Sequence, residues 1–322
     1  MKLFLDWAKH GALWQRAGLA LLLGIVSVFG FAPFYQVWLP WISLAVLLLL
    51  WHQAATDKQV FQLGFVFGLG FYCFGIYWIY ISLHDFGGMP WWFAGFSTFC
   101  LCAFMALFPA LVGWLAKRSG RLLWAAPIFW ALSDWVRSWI FTGFPWLTLG
   151  YSQAPASPLA GFLPIIGVYG VSALAVLLSA LLVAAWLQPL QRLRYAAFAA
   201  LLMLVGGLIS VVNWTHPVGK PISVALLQGN ISQTIKWSPE HVEQTMRQYL
   251  EMVRQSQAQL IVLPETALPV LAEQIDPAYL EVLKQHAHNQ QGDLLLGVVE
   301  AKGDEYYNAA ISMGSSPAQS YA

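Results

Sequence analysis

Residues 17–56 read AGLALLLGIVSVFGFAPFYQVWLPWISLAVLLLLWHQAAT, a stretch that contains no Asp, Glu, Lys or Arg. A helix needs about 20 apolar residues to cross the hydrocarbon core of a bilayer, so this stretch is long enough for two crossings. Pro33 and Pro40 divide it, because proline interrupts a helix. The stretch therefore predicts two membrane-spanning helices, a long one and a shorter one.

Similar apolar runs follow over the next 150 or so residues. We predict further spans over residues 59–83, 90–116, 122–140, 159–187 and 195–214, which gives about seven helices. The composition agrees, since 59% of the 322 residues are hydrophobic and only 10% are charged, against about 25% in an ordinary soluble domain. A water-soluble fold cannot bury that much apolar surface.

The loops between these spans predict how the bundle is oriented. Short loops rich in Lys and Arg remain in the cytoplasm. The loops at 33–40, 84–89 and 141–158 contain none, and the alternate segments carry Lys2, Lys9, Arg16, Lys58, Lys117, Arg118, Arg121, Arg192 and Arg194. We therefore expect a cytoplasmic N-terminus, a location in the bacterial inner membrane, and a periplasmic segment after the last span.

Charge density predicts the domain boundary. Residues 1–219 carry 14 charged side chains, whereas residues 220–322 carry 17. This step indicates a transmembrane domain over 1–219 and a soluble domain over 220–322. The net charge of +1, without a basic stripe, argues against nucleic-acid binding.

The chain offers no pattern typical of a metal, a disulfide or an organic cofactor. Cys73, Cys100 and Cys102 all lie inside apolar runs, where we expect buried thiols. Asp134 and Arg137 lie three residues apart in the predicted fifth span, on one helical face. Charges inside a membrane often mark function, but an internal ion pair that stabilises the bundle is the more economical interpretation.

The soluble part predicts alternating strands and helices. Strands are expected over 222–228, 259–264, 294–299 and about 308–313, and amphipathic helices over 239–257 and 276–290. Ser238 and Pro239 fit the first positions of the earlier helix. The β-α-β-α-β order predicts a sheet covered by helices, so the fold class is a polytopic α-helical membrane domain followed by an α/β domain.

Glu265 is the candidate catalytic residue from position alone. It follows the second predicted strand in Leu263-Pro264-Glu265, and chemistry in open α/β sheets gathers at the carboxyl ends of strands. A carboxylate walled by Leu263, Pro264 and Leu268 would lose hydration, and this would suit it to act as a general base. A cap or a surface charge is the alternative role for a single Glu at a strand end.

Three motifs resemble a known family, the bacterial apolipoprotein N-acyltransferases, which join a multispan membrane domain to a nitrilase-like (carbon–nitrogen hydrolase) αββα sandwich. The motifs are Phe141-Thr142-Gly143-Phe144-Pro145-Trp146 with Gly150-Tyr151-Ser152-Gln153, then Leu227-Gln228-Gly229-Asn230 running to Lys236-Trp237, and Leu263-Pro264-Glu265. They occur in the family's order, and the resemblance covers the whole chain.

The resemblance implies a two-step acyl transfer that needs no cofactor. A cysteine thiolate takes an acyl chain from a membrane phospholipid and forms a thioester; the chain then passes to the free α-amino group of a diacylglyceryl-modified N-terminal cysteine on an apolipoprotein. A Glu takes the thiol proton and a Lys stabilises the oxyanion. By this resemblance Glu265 is the general base, and Trp237 matches a tryptophan on a loop near the active site that contacts lipid. An interfacial aromatic is the alternative role for Trp237.

The chain departs from the family in one important respect. No cysteine follows Cys102, and the family's Lys and Cys come later than Ala322. Lys284 and Lys302 fall on a predicted helix and in a turn, so we assign neither the oxyanion role. We expect a truncated sequence with an incomplete sandwich, which as written does not catalyse acyl transfer.

Two other functions remain open at this point. One is a different membrane-anchored acyltransferase or amidase of the nitrilase superfamily, which would share Glu265 but use another acceptor. The other is a non-catalytic membrane scaffold or transporter with Asp134, Arg137, Asp85 and His84 as its polar elements. No internal repeat or pair of interrupted helices favours transport.

Overall fold

A computed structural model describes residues 2–154 and 156–322 of the chain. The chain divides into two compact units, the first ending at His216 and the second beginning at Pro217. Each unit has its own hydrophobic core.

Helices are the regular secondary structure of the first unit in the residues that the structure describes. Its α-helices are α1 Lys2–His10, α2 Leu13–Val28, α3 Trp38–Gln53, α4 Asp57–Gly75, α5 Trp78–Ile81, α6 Trp91–Arg118, α7 Leu122–Arg137, α8 Leu163–Leu187 and α9 Arg192–Ile209. A helix therefore occupies each position at which the sequence predicts a span.

Length separates these helices into two groups. Helical segments Trp91–Arg118, Pro158–Leu187 and Pro189–Ile209 are long and apolar enough to cross a membrane, and Asp57–Gly75 with Trp78–Phe86 forms a fourth candidate bent by 50°. Helices α2, α3 and α7 have 16 residues each, about 24 Å of rise, which is shorter than the hydrocarbon core. Seven spans thus remain a prediction, and the longer helices have the length and composition that a membrane span requires.

Small residues allow α4 and α6 to pack closely. A Cβ added at Gly64 would lie 2.8 Å from the Cα of Ala110, and one at Gly68 would lie 2.6 Å from the Cα of Ala106. Both pairs are spaced by four residues, so two small-residue faces meet over one helical turn. This packing is typical of membrane helices, where small residues let backbones approach.

The cysteines differ from the expectation of three buried thiols. Cys102 is buried in the core of the first unit, but Cys73 and Cys100 are exposed on the surface of the bundle. An apolar run fixes the helix but not which of its faces packs inward, because a membrane-spanning helix is hydrophobic on every side.

The second unit is a five-stranded sheet with helices packed on one face. Its elements are β1 Val224–Leu226, α10 Gln233–Lys236, α11 Pro239–Gln255, β2 Leu260–Val262, α12 Pro277–Asn289, β3 Asp293–Lys302, β4 Glu305–Gly314 and β5 Gln319–Tyr321. The strand order is β1-β2-β3-β4-β5, parallel from β1 to β3 and antiparallel from β3 to β5. The predicted β-α-β-α-β order is confirmed.

Alternate residues of the strands separate the two faces of this sheet. Ile261, Leu294 and Leu296 are fully buried in the core that contains Leu283 of α12. The Tyr279 hydroxyl ties the helices together by donating to the Met246 carbonyl at 2.8 Å, and burial raises the pKa of Tyr279 to about 12. It therefore remains a neutral donor over the physiological range.

Apolar side chains are exposed on the other face, including those of Val224, Leu226 and Leu295. Strand β5 was not predicted, because its residues Gln319–Tyr321 follow a Ser- and Pro-rich stretch with no alternating apolar pattern. Their burial pattern is exposed throughout. These residues form a strand because they pair with β4. The local sequence does not reveal that pairing.

Candidate active site

Two backbone hydrogen bonds fix the segment that carries Glu265. The Leu263 N–H donates to the Leu295 carbonyl at 2.9 Å, and the Ala267 N–H donates to the Gly297 carbonyl at 2.9 Å. Between them the chain bends through Thr266, whose φ is +49°. Glu265 is thus held against β3 from both sides.

Gly297 explains how the backbone can lie so close to the strand. A Cβ at this position would lie 2.8 Å from the Cα of Glu265 and 3.0 Å from the carbonyl carbon of Pro264. Such contacts are too short for any side chain, so the bend requires glycine here. Because Leu296 and Val298 point into the helix-covered core, Gly297 and the Glu265 segment lie on the opposite face of the sheet.

Asn308 is the described hydrogen-bond partner of the Glu265 side chain. Its Nδ2 donates to Glu265 Oε1 at 2.9 Å. Asn308 pairs with Val299 across the β3–β4 ladder, so it lies on the same face as Gly297. The amide can orient the carboxylate while leaving its other oxygen available to accept a proton.

The prediction of a hydrophobic wall around Glu265 is wrong. Leu263 and Leu268 are buried, but their side chains belong to the helix-covered core, and Pro264 and Glu265 are exposed. The alternation of a strand explains the error, since neighbouring residues point to opposite faces.

Lys284 and Lys302 do not join the Glu265–Asn308 pair in the residues that the structure describes. Lys284 on α12 lies 3.5 Å from Glu281, and Lys302 at the end of β3 lies 3.6 Å from Glu300. All three cysteines are on α4 and α6 of the first unit. The second unit therefore contributes a carboxylate and an orienting amide, without a thiol between residues 217 and 322.

Trp237 lies directly after α10 and its side chain is 54% exposed. It shares no hydrogen bond or ring contact with Glu265 among the residues that the structure describes. The loop before it is held by Gln248, whose Nε2 donates to the Gly229 carbonyl at 2.9 Å. An exposed indole on such a loop is compatible with either of the roles considered for it.

A buried ion pair organises the motif at residues 141–153. Arg137 Nη2 lies 2.8 Å from Asp134 Oδ1, and both residues are buried. Arg137 Nη1 donates to the carbonyls of Phe144, at 3.3 Å, and Trp146. The predicted internal ion pair is confirmed, and it binds the loop that follows α7.

The second oxygen of Asp134 extends this network to α8. It accepts from the Leu149 N–H at 3.2 Å and from the Ser172 hydroxyl at 2.7 Å. The Gly150 N–H in turn donates to Ser172 Oγ at 2.8 Å. These three hydrogen bonds therefore connect α7, the loop at residues 149–150 and α8.

Metal ligands are not gathered at any of these positions. In residues 2–154 and 156–322, no group of three or more His, Cys, Asp and Glu side chains is close enough to hold a metal ion.

Comparison with known proteins places both units in described families. Residues 23–181 match the family model of the apolipoprotein N-acyltransferase N-terminal domain, and residues 223–318 match that of the carbon–nitrogen hydrolases. Together with the helices of the first unit and the sheet of the second, these matches define the class: a membrane domain joined to a nitrilase-like domain.

Curated relatives narrow the assignment. The chain is 48% identical over 309 residues to an apolipoprotein N-acyltransferase of Nitrosomonas europaea and 40% identical over 309 residues to one of Methylococcus capsulatus. These matches cover 94% and 93% of this chain but 62% and 61% of the relatives, so the chain spans about three fifths of their length. The chain belongs to the apolipoprotein N-acyltransferase family.

Proposed function

We propose that the protein N-acylates apolipoproteins, by transferring an acyl chain from a membrane phospholipid to the α-amino group of their diacylglyceryl-modified N-terminal cysteine. Family membership supports this reaction. The observation that carries it is the Glu265 carboxylate, held at the end of β2 by the Asn308 amide on the face of the sheet away from the helices.

The proposed chemistry proceeds through a thioester. Glu265 removes the proton of a thiol, and the thiolate attacks the ester carbonyl of the phospholipid. The tetrahedral intermediate collapses to a thioester and releases a lysophospholipid, whose leaving oxygen receives the proton held by Glu265. The acceptor amine then attacks the thioester, and the thiol is regenerated as the amide forms. Residues 217–322 contain no cysteine, so this mechanism requires a thiol from outside them.

Acyl transfer can be measured with the protein expressed from its full coding sequence and reconstituted in phospholipid vesicles. We expect a labelled acyl chain to pass from phospholipid to a synthetic peptide with an N-terminal diacylglyceryl-cysteine. The matched control is the same peptide with an acetylated α-amino group, which has no nucleophile. Absence of transfer, or equal labelling of both peptides, would contradict the proposal.

The membrane orientation is a second part of the proposal. We infer that residues 1–219 form a transmembrane domain of about seven helices with a cytoplasmic N-terminus in the inner membrane, and that residues 220–322 belong to a periplasmic domain. The distribution of Lys and Arg among the loops supports this orientation. A reporter fused after Trp214 should be active in the periplasm, and cytosolic activity of that fusion would overturn the inference.

A further inference from the structure

A polar groove of about 600 Å³ lies at one end of the helical unit. It is bordered by the end of α3, the turn between α6 and α7, and the residue that follows α8. The residues that line it are His52, Lys117, Gly120, Arg121, Leu122, Leu123, Trp124 and Gln188.

The cations of this groove have no acidic partner among the described residues. Lys117 Nζ donates to the Ala54 carbonyl at 3.0 Å, and Arg121 is exposed. Asp57, an acidic residue at this end, lies 3.3 Å from Arg118, which does not line the groove. Lys117 and Arg121 are therefore available for an anion. Lys117 lies in the last turn of α6 and Arg121 directly precedes α7, and the sequence predicts a cytoplasmic position for both.

An apolar groove of about 660 Å³ adjoins the polar one between α8 and α9. Trp124 lines both grooves, and its ring lies 6.0 Å from that of Tyr195. The Tyr195 hydroxyl donates to Gln188 of the polar groove at 3.1 Å. One further cation, Arg194, lines the apolar groove, and the rest of its lining is apolar: Phe162, Leu177, Leu181, Phe198, Leu201, Leu202 and Val205.

The polar groove with its two cations matches the headgroup of a lipid, and the adjoining apolar groove matches its acyl chain. The geometry points to a binding site for one phospholipid with a net negative headgroup, whose phosphate lies between Lys117 and Arg121 and whose acyl chain lies along α8 and α9. Basic pockets between membrane helices bind anionic headgroups in this way. A choline headgroup would place a third cation beside these two, and the site therefore discriminates against it. This site goes beyond the proposed reaction, since it binds a lipid without changing it and is lined only by residues of the helical unit.

Lipid competition on the 322-residue chain tests this site without requiring acyl transfer. The chain is reconstituted in nanodiscs of equal parts dioleoylphosphatidylglycerol and dioleoylphosphatidylcholine, extracted in mild detergent, and its retained lipid is measured by native mass spectrometry. We expect phosphatidylglycerol to be retained preferentially, with a preference that falls as ionic strength rises. Equal retention of the two lipids would overturn the proposal.

Variants test whether Lys117 and Arg121 cause the preference for phosphatidylglycerol. Each cation near an anionic lipid contributes about fivefold to binding, so K117Q/R121Q should lower the preference by about 25-fold. R118Q removes a neighbouring charge outside the groove and should preserve the preference, as should the charge-conserving K117R/R121K. An unchanged preference in K117Q/R121Q, or an equal loss in R118Q, would show that the groove is not the site.

A further variant tests the apolar groove separately. Val205 is 36% exposed on α9, so V205W should fill the apolar groove and reduce retention of both lipids. Glycerol 3-phosphate, which carries the phosphate without chains, should displace phosphatidylglycerol poorly. If glycerol 3-phosphate displaces phosphatidylglycerol as effectively as added phosphatidylglycerol does, the apolar groove does not contribute to lipid binding.

Discussion

Replacing Glu265 with glutamine should abolish acyl transfer while leaving the site intact. Glutamine has the shape of glutamate, and its amide oxygen can still accept from Asn308 Nδ2, the donor that lies 2.9 Å from Glu265 Oε1. It cannot accept a proton from a thiol. Loss of a general base reduces rates by about 10²–10⁴-fold, and formation of the thioester should fall by that factor because it is the step that requires deprotonation.

The appropriate control is another carboxylate of the same unit. Glu273 Oε1 accepts from the Ala301 N–H of β3 at 3.1 Å, so E273Q removes a charge beside the sheet without altering the residues of the Glu265 segment. We expect E273Q to form the thioester at the wild-type rate, as measured by labelled-lipid capture on the protein expressed from its full coding sequence. Undiminished thioester formation in E265Q would refute the assignment of the general base.

Asn308 should behave as a positioning residue in the same assay. A hydrogen bond to a charged group contributes about 1.5–3 kcal/mol when buried, and less at an exposed position such as this. N308A should therefore slow thioester formation by about tenfold. Because Asn308 acts through Glu265, N308A should add little to E265Q, and additive losses in the double variant would indicate that the two side chains act independently.

The sequence predicts the elements of this site better than their arrangement. Glu265 is identified because a strand, Pro264 and an acidic residue form a local pattern, and the parallel order of β1 to β3 follows from the alternation of strands and helices. Asn308 carries no such pattern. Its approach to Glu265 depends on the β3–β4 register, which pairs Lys302 with Glu305 and so places Asn308 opposite Val299. A shift of one residue would turn Asn308 toward the helices.

Gly297 is a second residue that sequence reasoning missed. In the run Leu294-Leu295-Leu296-Gly297-Val298-Val299 a glycine weakens the strand and can mark the close approach of another backbone. The structure shows that it makes room for the backbone of Pro264 and Glu265. The isolated glycine is a local signal of a close backbone approach, but the strand pattern does not reveal which segment approaches.

Replacing Arg137 with methionine should strongly destabilise the helical unit. Methionine fills similar space but leaves the Asp134 carboxylate buried without its cation, and leaves the carbonyls of Phe144 and Trp146 without a donor. Removing one partner of a buried ion pair costs about 3–5 kcal/mol. The free energy of unfolding, measured by denaturant titration of the purified protein in detergent micelles, should decrease by that amount.

Arg118 provides a matched control because it makes the same kind of pair in a different environment. Its guanidinium lies 3.3 Å from Asp57, but the side chains of Arg118 and Asp57 are 61% and 41% exposed, against 1% and 5% for Arg137 and Asp134. Water already solvates the exposed pair, so R118M should change the free energy of unfolding by about 0–1 kcal/mol. Equal effects of R118M and R137M would show that burial does not determine the cost.

The loop should respond before the bundle does, because Arg137 and Asp134 hold residues 144–150 through side chains rather than through helix packing. D134N keeps an oxygen that can accept from the Ser172 hydroxyl and the Leu149 N–H, but its NH2 group faces Arg137 Nη2 and the buried guanidinium loses its anion, so it should destabilise the unit as R137M does. Limited proteolysis distinguishes loosening of the loop from loss of bundle stability. Cleavage within residues 144–150 should increase in R137M under conditions in which α8 remains protected. If α8 is cleaved as readily as the loop, the network stabilises the whole bundle and does not act locally on the loop.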